Sequence, residues 1–398
     1  MPREGPEVAD IFRHFGPAFR DQHGAALSGA RRRAMSAIES CRTAALGGHV
    51  ERCGECGHQR IAYDSCRNRN CPKCQGLARA KWIADRQAEL LDVPYFHVVF
   101  TVPTEIEVIA FQNQTVVYDI LFRAASETLC TIAADPEHLG AEIGFFGVLH
   151  TWGQNLLHHP HIHFLVPGGG IAPDGEHWIA CRPGFFLPVK VLSHMFRGKF
   201  LHHLGKAFSA GELNFFSAHC HLREPAAFSR YLQPVWNTKW VVYAKRPFAG
   251  PAQVLDYVGR YTHRVAISNN RLVSMDNGKV RFRWKDYRDA NRQKIMTLDA
   301  NEFIRRFLIH VLPDGFHRIR YFGFLGNCHR ARKLEHCRRL IGMASPEPPT
   351  EPSADYRDRY EVLTGHSLRE CPHCHTGIMV VIGCIARARI CQSLPDTS

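Results

Sequence analysis

The sequence predicts an α+β protein in which a helix-flanked sheet follows a small helical, zinc-binding module. Three observations predict it. Short apolar, β-branched runs at 95–102, 143–150 and 160–167 have strand character. Long stretches of helical periodicity at 104–134 and 186–207 stand between and after them. Ahead of both, two Cys-x-x-Cys pairs, Cys53/Cys56 and Cys71/Cys74, have metal-ligand spacing.

Composition narrows the class. A chain of 398 residues is long enough for two or three domains. The formal net charge of +13 and pI near 9.2 favour an anionic partner, nucleic acid before membrane. No apolar run approaches the roughly eighteen residues of a membrane span. The opening Met1–Pro6 lacks a signal-peptide pattern. Fifteen cysteines, clustered at metal spacing, fit a reducing cytoplasm better than a secreted disulfide framework. The expected boundaries are a helical and zinc-binding module at 1–88, a second domain at 89–344, and a Pro-rich linker with a Cys/His-containing tail at 345–398.

In chain order, 7–46 reads as helical, with Val8, Ile11, Phe12 and Phe15 at helical spacing. Fourteen residues separate Cys56 from Cys71, close to the four-cysteine zinc pattern. Each knuckle brings two thiolates to one tetrahedral ion, so Cys53, Cys56, Cys71 and Cys74 are the expected ligands, with Cys66 and His58 as possible replacements. Arg67, Arg69 and Lys73 crowd this module and are candidate contacts to a DNA backbone. Residues 76–92 read as helix and 95–102 as strand, with His97 packed or hydrogen-bonded. A helix follows at 104–134 and a strand at 143–150.

Residues 186–207 read as a helix with a basic side, and 240–244 as a strand running into Lys245 and Arg246, two further candidate phosphate contacts. A helix at 252–262 begins after Gly250-Pro251. Residues 264–267 look extended. A hairpin is expected at 271–288 around Asp276-Asn277-Gly278. Its Phe282, Trp284 and Tyr287 alternate with Arg281, Arg283, Lys285 and Arg288, a pattern that suits base stacking and a half-buried strand equally. A helix at 301–312 precedes a very basic stretch, 317–339. Beyond the linker, Cys371 and Cys374 look like half of another zinc site without an identifiable partner.

Two stretches carry the chemistry. In the strand His158-His159-Pro160-His161-Ile162-His163, side chains alternate faces, so His161 and His163 share one side while Ile162 turns into a core. Two such imidazoles can share a metal ion. If strand 143–150 pairs beside them, His150 lies near His161 and is the first candidate for a third ligand, with His159 and Gln154 as alternatives. On helix 252–262, Tyr257 and Tyr261 stand four residues apart on one face. Such a pair can serve core packing, yet a tyrosine hydroxyl can also attack a DNA phosphate.

The order of these motifs resembles the two-tyrosine HUH nucleases, and within them the rolling-circle insertion-sequence transposases. The resembling segments are LHTWGQNLLHHPHIHFLVPGGG, WVVYAKRPFAGP and VLDYVGRYTHRVAISNNRL, with YFHVVFTVP and the cysteine module upstream in the same order; together they span roughly residues 35 to 340. The resemblance implies an HUH nuclease domain with a central antiparallel sheet flanked by helices. It implies that Tyr257 and Tyr261 cleave and rejoin single DNA strands through a 5′-phosphotyrosine. A Mg2+ or Mn2+ ion held by histidines would assist, structural Zn2+ would sit in the cysteine module, and no nucleotide cofactor would be needed. The implied partners are single-stranded element ends and target DNA, encountered in a bacterial cytoplasm. A replication initiator or relaxase would share the cleavage chemistry, and an inert zinc-dependent DNA binder would keep only the cysteines and the basic charge.

Overall fold

A computed structural model describes residues 5–245, 259, 265–287, 289–345 and 355–388. The expected tyrosine helix at 252–262, Arg246, Arg288, most of the 345–353 linker and Cys391 lie outside the described residues. In chain order the helices are α1 (Val8–His23), α2 (Gly29–Ser40), α3 (Gln75–Gln87), α4 (Thr104–Gln112), α5 (Gln114–Ala134), α6 (Val189–Ser209), α7 (Pro225–Asn237), α8 (Ala300–Leu308), α9 (Arg330–Leu340) and α10 (Tyr356–Thr364). The strands are β1 (Gly48–Cys53), β2 (Gln59–Tyr63), β3 (Tyr95–Thr101), β4 (Gly144–Trp152), β5 (His158–Pro167), β6 (Gly169–Ile171), β7 (Trp178–Ala180), β8 (Val242–Lys245), β9 (Leu272–Asp276), β10 (Lys279–Asp286), β11 (Arg292–Asp299), β12 (Ile319–Gly323) and β13 (Met379–Ile385). The chain divides into two compact units, one from Met1–Ala84, His263–Val311 and Pro348–Ser398, the other from Asp85–Thr262 and Leu312–Glu347.

The first unit holds two three-stranded antiparallel sheets, ordered β13-β1-β2 and β11-β10-β9. The helix expected over 7–46 is two helices. Ser28 interrupts it, because its hydroxyl accepts from the Arg31 amide and caps α2 instead of continuing α1. The buried stripe of α1 includes Val8, Ile11 and Phe12, and the Phe12 ring meets Phe307 of α8 edge-on at 5.2 Å. The β9–β10 hairpin turns at Asn277 and Gly278, both with positive φ, the conformation that a two-residue Asn-Gly turn requires. Phe282 is fully buried, so this ring belongs to the core. Tyr287 is exposed, with the Lys285 ammonium 5.8 Å from its ring centre.

The second unit is built on a five-stranded sheet of order β12-β4-β5-β3-β8, every pair antiparallel. One face carries Val98, Phe100, Phe145, Ile162, Phe164 and Val166, which join residues of α4, α5, α6 and α7 in a single buried core. The stretch 104–134 is broken at Asn113, whose side chain bonds back to the Ile109 carbonyl and across to the backbone of Asn214, ending α4 before α5 begins. The opposite face of the sheet carries the histidines.

Candidate metal centres

β5 is the middle strand, and its alternation sorts its side chains. Ile162, Phe164 and Val166 enter the core, while His161, His163 and Leu165 face the other way. Register with β4 sets His150 directly opposite His161 and Val148 opposite His163. Residues paired across antiparallel strands share a face. The structure therefore brings His150, His161 and His163 together: one ring nitrogen from each lies within 4.8 Å of the others. Their ring centres are 5.5 Å apart for His150–His161, 4.5 Å for His150–His163 and 4.9 Å for His161–His163.

Neighbouring groups set the tautomers. His161 Nδ1 lies 2.7 Å from the His159 carbonyl oxygen, which can only accept. Nδ1 therefore carries the proton, and Nε2 keeps the lone pair that a metal requires. His163 Nδ1 is 2.8 Å from His97 Nε2, which leaves Nε2 as its ligand atom. His97 comes from β3, on the same face and nearly buried. Burial, with the charge of Lys245 adding to it, pushes its imidazole down to about 4, so it is neutral near pH 7. Three neutral imidazoles add no negative charge, so a divalent ion on them would keep its full charge for an anionic ligand.

The other histidines of the motif are used elsewhere. Between Trp152↔His158 and His150↔His161 the register shifts, β5 spending three steps to two on β4. The extra residue falls around Pro160, which cannot donate a ladder hydrogen bond. His159 is drawn aside to a hydrogen bond between its Nδ1 and the Glu107 carboxylate, and His158 bonds the Tyr118 hydroxyl at 2.7 Å.

The cysteines form two sets, not the single site expected from Cys53, Cys56, Cys71 and Cys74. Cys71 and Cys74 gather with Cys41 and Cys66, whereas Cys53 and Cys56 gather with Cys371 and Cys374. In each set the four sulfurs lie within 4.8 Å of one another. Cys41, which caps the end of α2, belongs to no Cys-x-x-Cys pair and so carries no local signal, and Cys66, expected only as a possible replacement, is a full member of the set. In the first set, Cys41 and Cys66 lie 3.3 and 3.5 Å from Cys74. Hydrogen bonding from Cys66, then Cys71, pulls the Cys41 thiol down to about 6. The Cys74 thiol is also lowered, first by Cys41, while Cys66 and Cys71 are raised, again first by Cys41. Four thiols this close share their protons unequally, and a cation bound among them would displace the remaining protons to solvent.

Of the expected phosphate contacts, Arg67 and Arg69 are exposed on the loop before Cys71. Lys73 is held 2.5 Å from the Glu7 carboxylate, with both side chains only 14% exposed, so this ammonium serves an internal ion pair rather than an open surface. Lys245 is exposed at the end of β8, paired with His97 and thus on the histidine face. Tyr257, Tyr261 and Arg246 lie outside the described residues. Among the described residues, no helix is long and apolar enough to cross a membrane.

Comparison with known families assigns the class. Residues 11–102 match the model described as "Transposase zinc-binding domain", and residues 144–333 match the model described as "Putative transposase". The first contains all of the Cys41/Cys66/Cys71/Cys74 set, and the second contains His150, His161 and His163. This is a transposase with a zinc-binding domain, a DNA-cleaving enzyme. The relatives narrow it further. The chain is 67% identical over 383 residues to "Putative transposase y4qJ" of Sinorhizobium fredii (strain NBRC 101917 / NGR234), covering 96% of each. It is 30% identical over 318 residues to "Transposase for insertion sequence element IS801" of Pseudomonas savastanoi pv. phaseolicola, covering 78% of this chain and 73% of that one. The chain belongs to the IS91-type family of insertion-sequence transposases. No solved structure gives a significant match.

Proposed function

We propose that this transposase cleaves and rejoins single DNA strands through a 5′-phosphotyrosine, in rolling-circle transposition of an insertion sequence in the bacterial nucleoid. The convergence of His150, His161 and His163 on one face of the central sheet is the observation that carries the reading. The donor set fits a divalent cation, since three imidazole nitrogens converge and the Nδ1 contacts of His161 and His163 make Nε2 the ligating atom of each. Mg2+ or Mn2+ bound there supplies charge stabilisation at the phosphate oxygens. The hydroxyl of Tyr257 or Tyr261 attacks the phosphorus in line, losing its proton. A new O–P bond forms as the bond to the 3′ oxygen breaks, leaving a free 3′-hydroxyl. The phosphodiester energy is kept in the tyrosyl ester, so no nucleotide is consumed. The second tyrosine permits a second transfer. Arg67 and Arg69, and separately Lys245 with Arg246 next in sequence, are the candidate contacts to the DNA backbone.

The test is a covalent-complex assay with labelled single-stranded DNA of the element's own end, with Mg2+ or Mn2+, read on a denaturing gel. A protein-linked band is expected from the wild type. It should fall to background in Tyr257→Phe/Tyr261→Phe and in His161→Ala/His163→Ala, and the single tyrosine variants give the order of attack. DNA binding without any covalent band on the correct end would leave an inert DNA binder.

A further inference from the structure

The second cysteine set lies half inside and half outside the matched domains. Cys53 and Cys56 belong to the zinc-binding match at 11–102, but Cys371 and Cys374 lie beyond the end of both matches, at 102 and 333. We propose that Cys53, Cys56, Cys371 and Cys374 form a second structural zinc site, closed by the C-terminal tail and separate from the site on Cys41, Cys66, Cys71 and Cys74. This inference is independent of the strand-transfer chemistry.

Sulfur geometry is the first support. Cys53 and Cys374 are 3.7 Å apart, as are Cys56 and Cys371. For Zn–S bonds of about 2.3 Å in a tetrahedron, sulfurs stand roughly 3.8 Å apart. The two spacings match opposite edges of that tetrahedron and far exceed a disulfide bond of about 2.05 Å.

The backbone around the sulfurs is built for thiolates. Each Cys-x-x-Cys is a turn whose next residue has positive φ, +70° at Gly57 and +59° at His375. The amide of that residue returns to the carbonyl of the first cysteine, Gly57 to Cys53 at 3.2 Å and His375 to Cys371 at 3.0 Å. Amides also point at sulfur: Cys56 N–H at Cys53 (3.5 Å), His373 N–H at Cys371 (3.4 Å) and Gly377 N–H at Cys374 (3.3 Å). Such donors offset the negative charge that four thiolates bring to one Zn2+. Gly377 has no room for a side chain, since a Cβ there would lie 2.3 Å from Cys53 Sγ and 3.3 Å from Cys374 Sγ.

Strand pairing and side-chain contacts join the two halves. β13 pairs with β1 from Gly48↔Ile385 to Cys53↔Met379, and the Gly54 amide extends the contact to the Ile378 carbonyl. His58 stacks on His373 at 5.3 Å, and the Thr376 hydroxyl donates to Glu55 at 2.9 Å. Cys53 and Cys371 are buried, and Cys56 alone is exposed.

Full-length protein purified without added metal should carry two zinc ions per chain by native mass spectrometry and elemental analysis. Cys371→Ser/Cys374→Ser should carry one. The wild type supplies a test that does not rely on a variant folding. Under mild alkylation, exposed Cys220 and Cys328 should react at once, whereas Cys56, also exposed, should stay protected until a chelator is added. Cys53, Cys56, Cys371 and Cys374 should then become reactive together. One zinc per chain, with Cys56 and Cys374 alkylated as fast as Cys220, would overturn the proposal. Iron in place of zinc, seen by its thiolate absorption, would overturn the assignment of the metal.

Discussion

His163 depends on a neighbour in a way that His161 does not. A backbone carbonyl fixes the His161 proton on Nδ1, but the His163 ring is oriented by another side chain, His97, at 2.8 Å. Partners of this kind, touching a ligand but not the metal, typically contribute ~10–100-fold to metal affinity. His97→Phe should therefore raise the Mn2+ concentration for half-maximal covalent complex by about tenfold or more at unchanged saturating yield. His97→Gln, which keeps a donor and an acceptor, should recover part of the loss. Metal titration of the gel assay reads both, and an unchanged Mn2+ requirement in His97→Phe would remove His97 from the site. The pair His161/His163 was legible in the sequence because alternation along one strand is a local property. His150 was legible only through an assumed strand pairing, and the β4–β5 register supplies that pairing.

At the scale of elements, the strands rich in β-branched and aromatic residues were legible, whereas a polar strand, a strand set among arginines and a helix carrying proline were not. β11, Arg292–Asp299, has no apolar alternation and is largely exposed, so nothing in its composition marked it as the edge of a sheet. β12 is short and lay within a stretch dominated by arginines. α7 has Pro225 at its start, where proline is tolerated, and Pro234 inside, where it argues against a helix. α8 offers a test of local electrostatics. Hydrogen bonds from Arg305, with Arg306 adding to them, hold the Glu302 carboxyl down to about 2. A carboxyl lowered on folding adds stability above its ordinary value of 4.5, and that stability is lost as pH falls through 2. The pairs are one turn apart and partly exposed, so Glu302→Gln should cost about 0.5–1 kcal/mol at pH 7. Urea unfolding should show that difference narrowing between pH 5 and pH 3; a constant difference would mean that Glu302 acts through packing and not charge.

Over the whole molecule, charge and topology set behaviour that no single site fixes. A chain of net charge +13 should bind single-stranded DNA with a strong salt dependence, each phosphate contact adding about −0.7 to the slope of log K against log salt. Fluorescence anisotropy between about 50 and 200 mM salt should show affinity falling at least ~10-fold; no change would place recognition on uncharged contacts. The topology was the least legible feature. A Cys-x-x-Cys pair announces half a site, but its other half is selected by the β1–β13 pairing, and Cys56 and Cys371 are 315 positions apart. Local sequence reading grouped the knuckle at 53–56 with the nearer one at 71–74, and the fold chose the distant one. That distance also sets a timetable for synthesis. At about 5–20 residues per second, a ribosome takes roughly 15–60 s to travel from Cys56 to Cys371. For most of that interval Cys53 and Cys56 have left the ribosome with no partner knuckle yet made, while Cys41, Cys66, Cys71 and Cys74 are synthesised within a few seconds of one another. The two zinc sites would thus fill in sequence, the second only in chains that have been translated through residue 374, so that its occupancy records whether the tail was ever made.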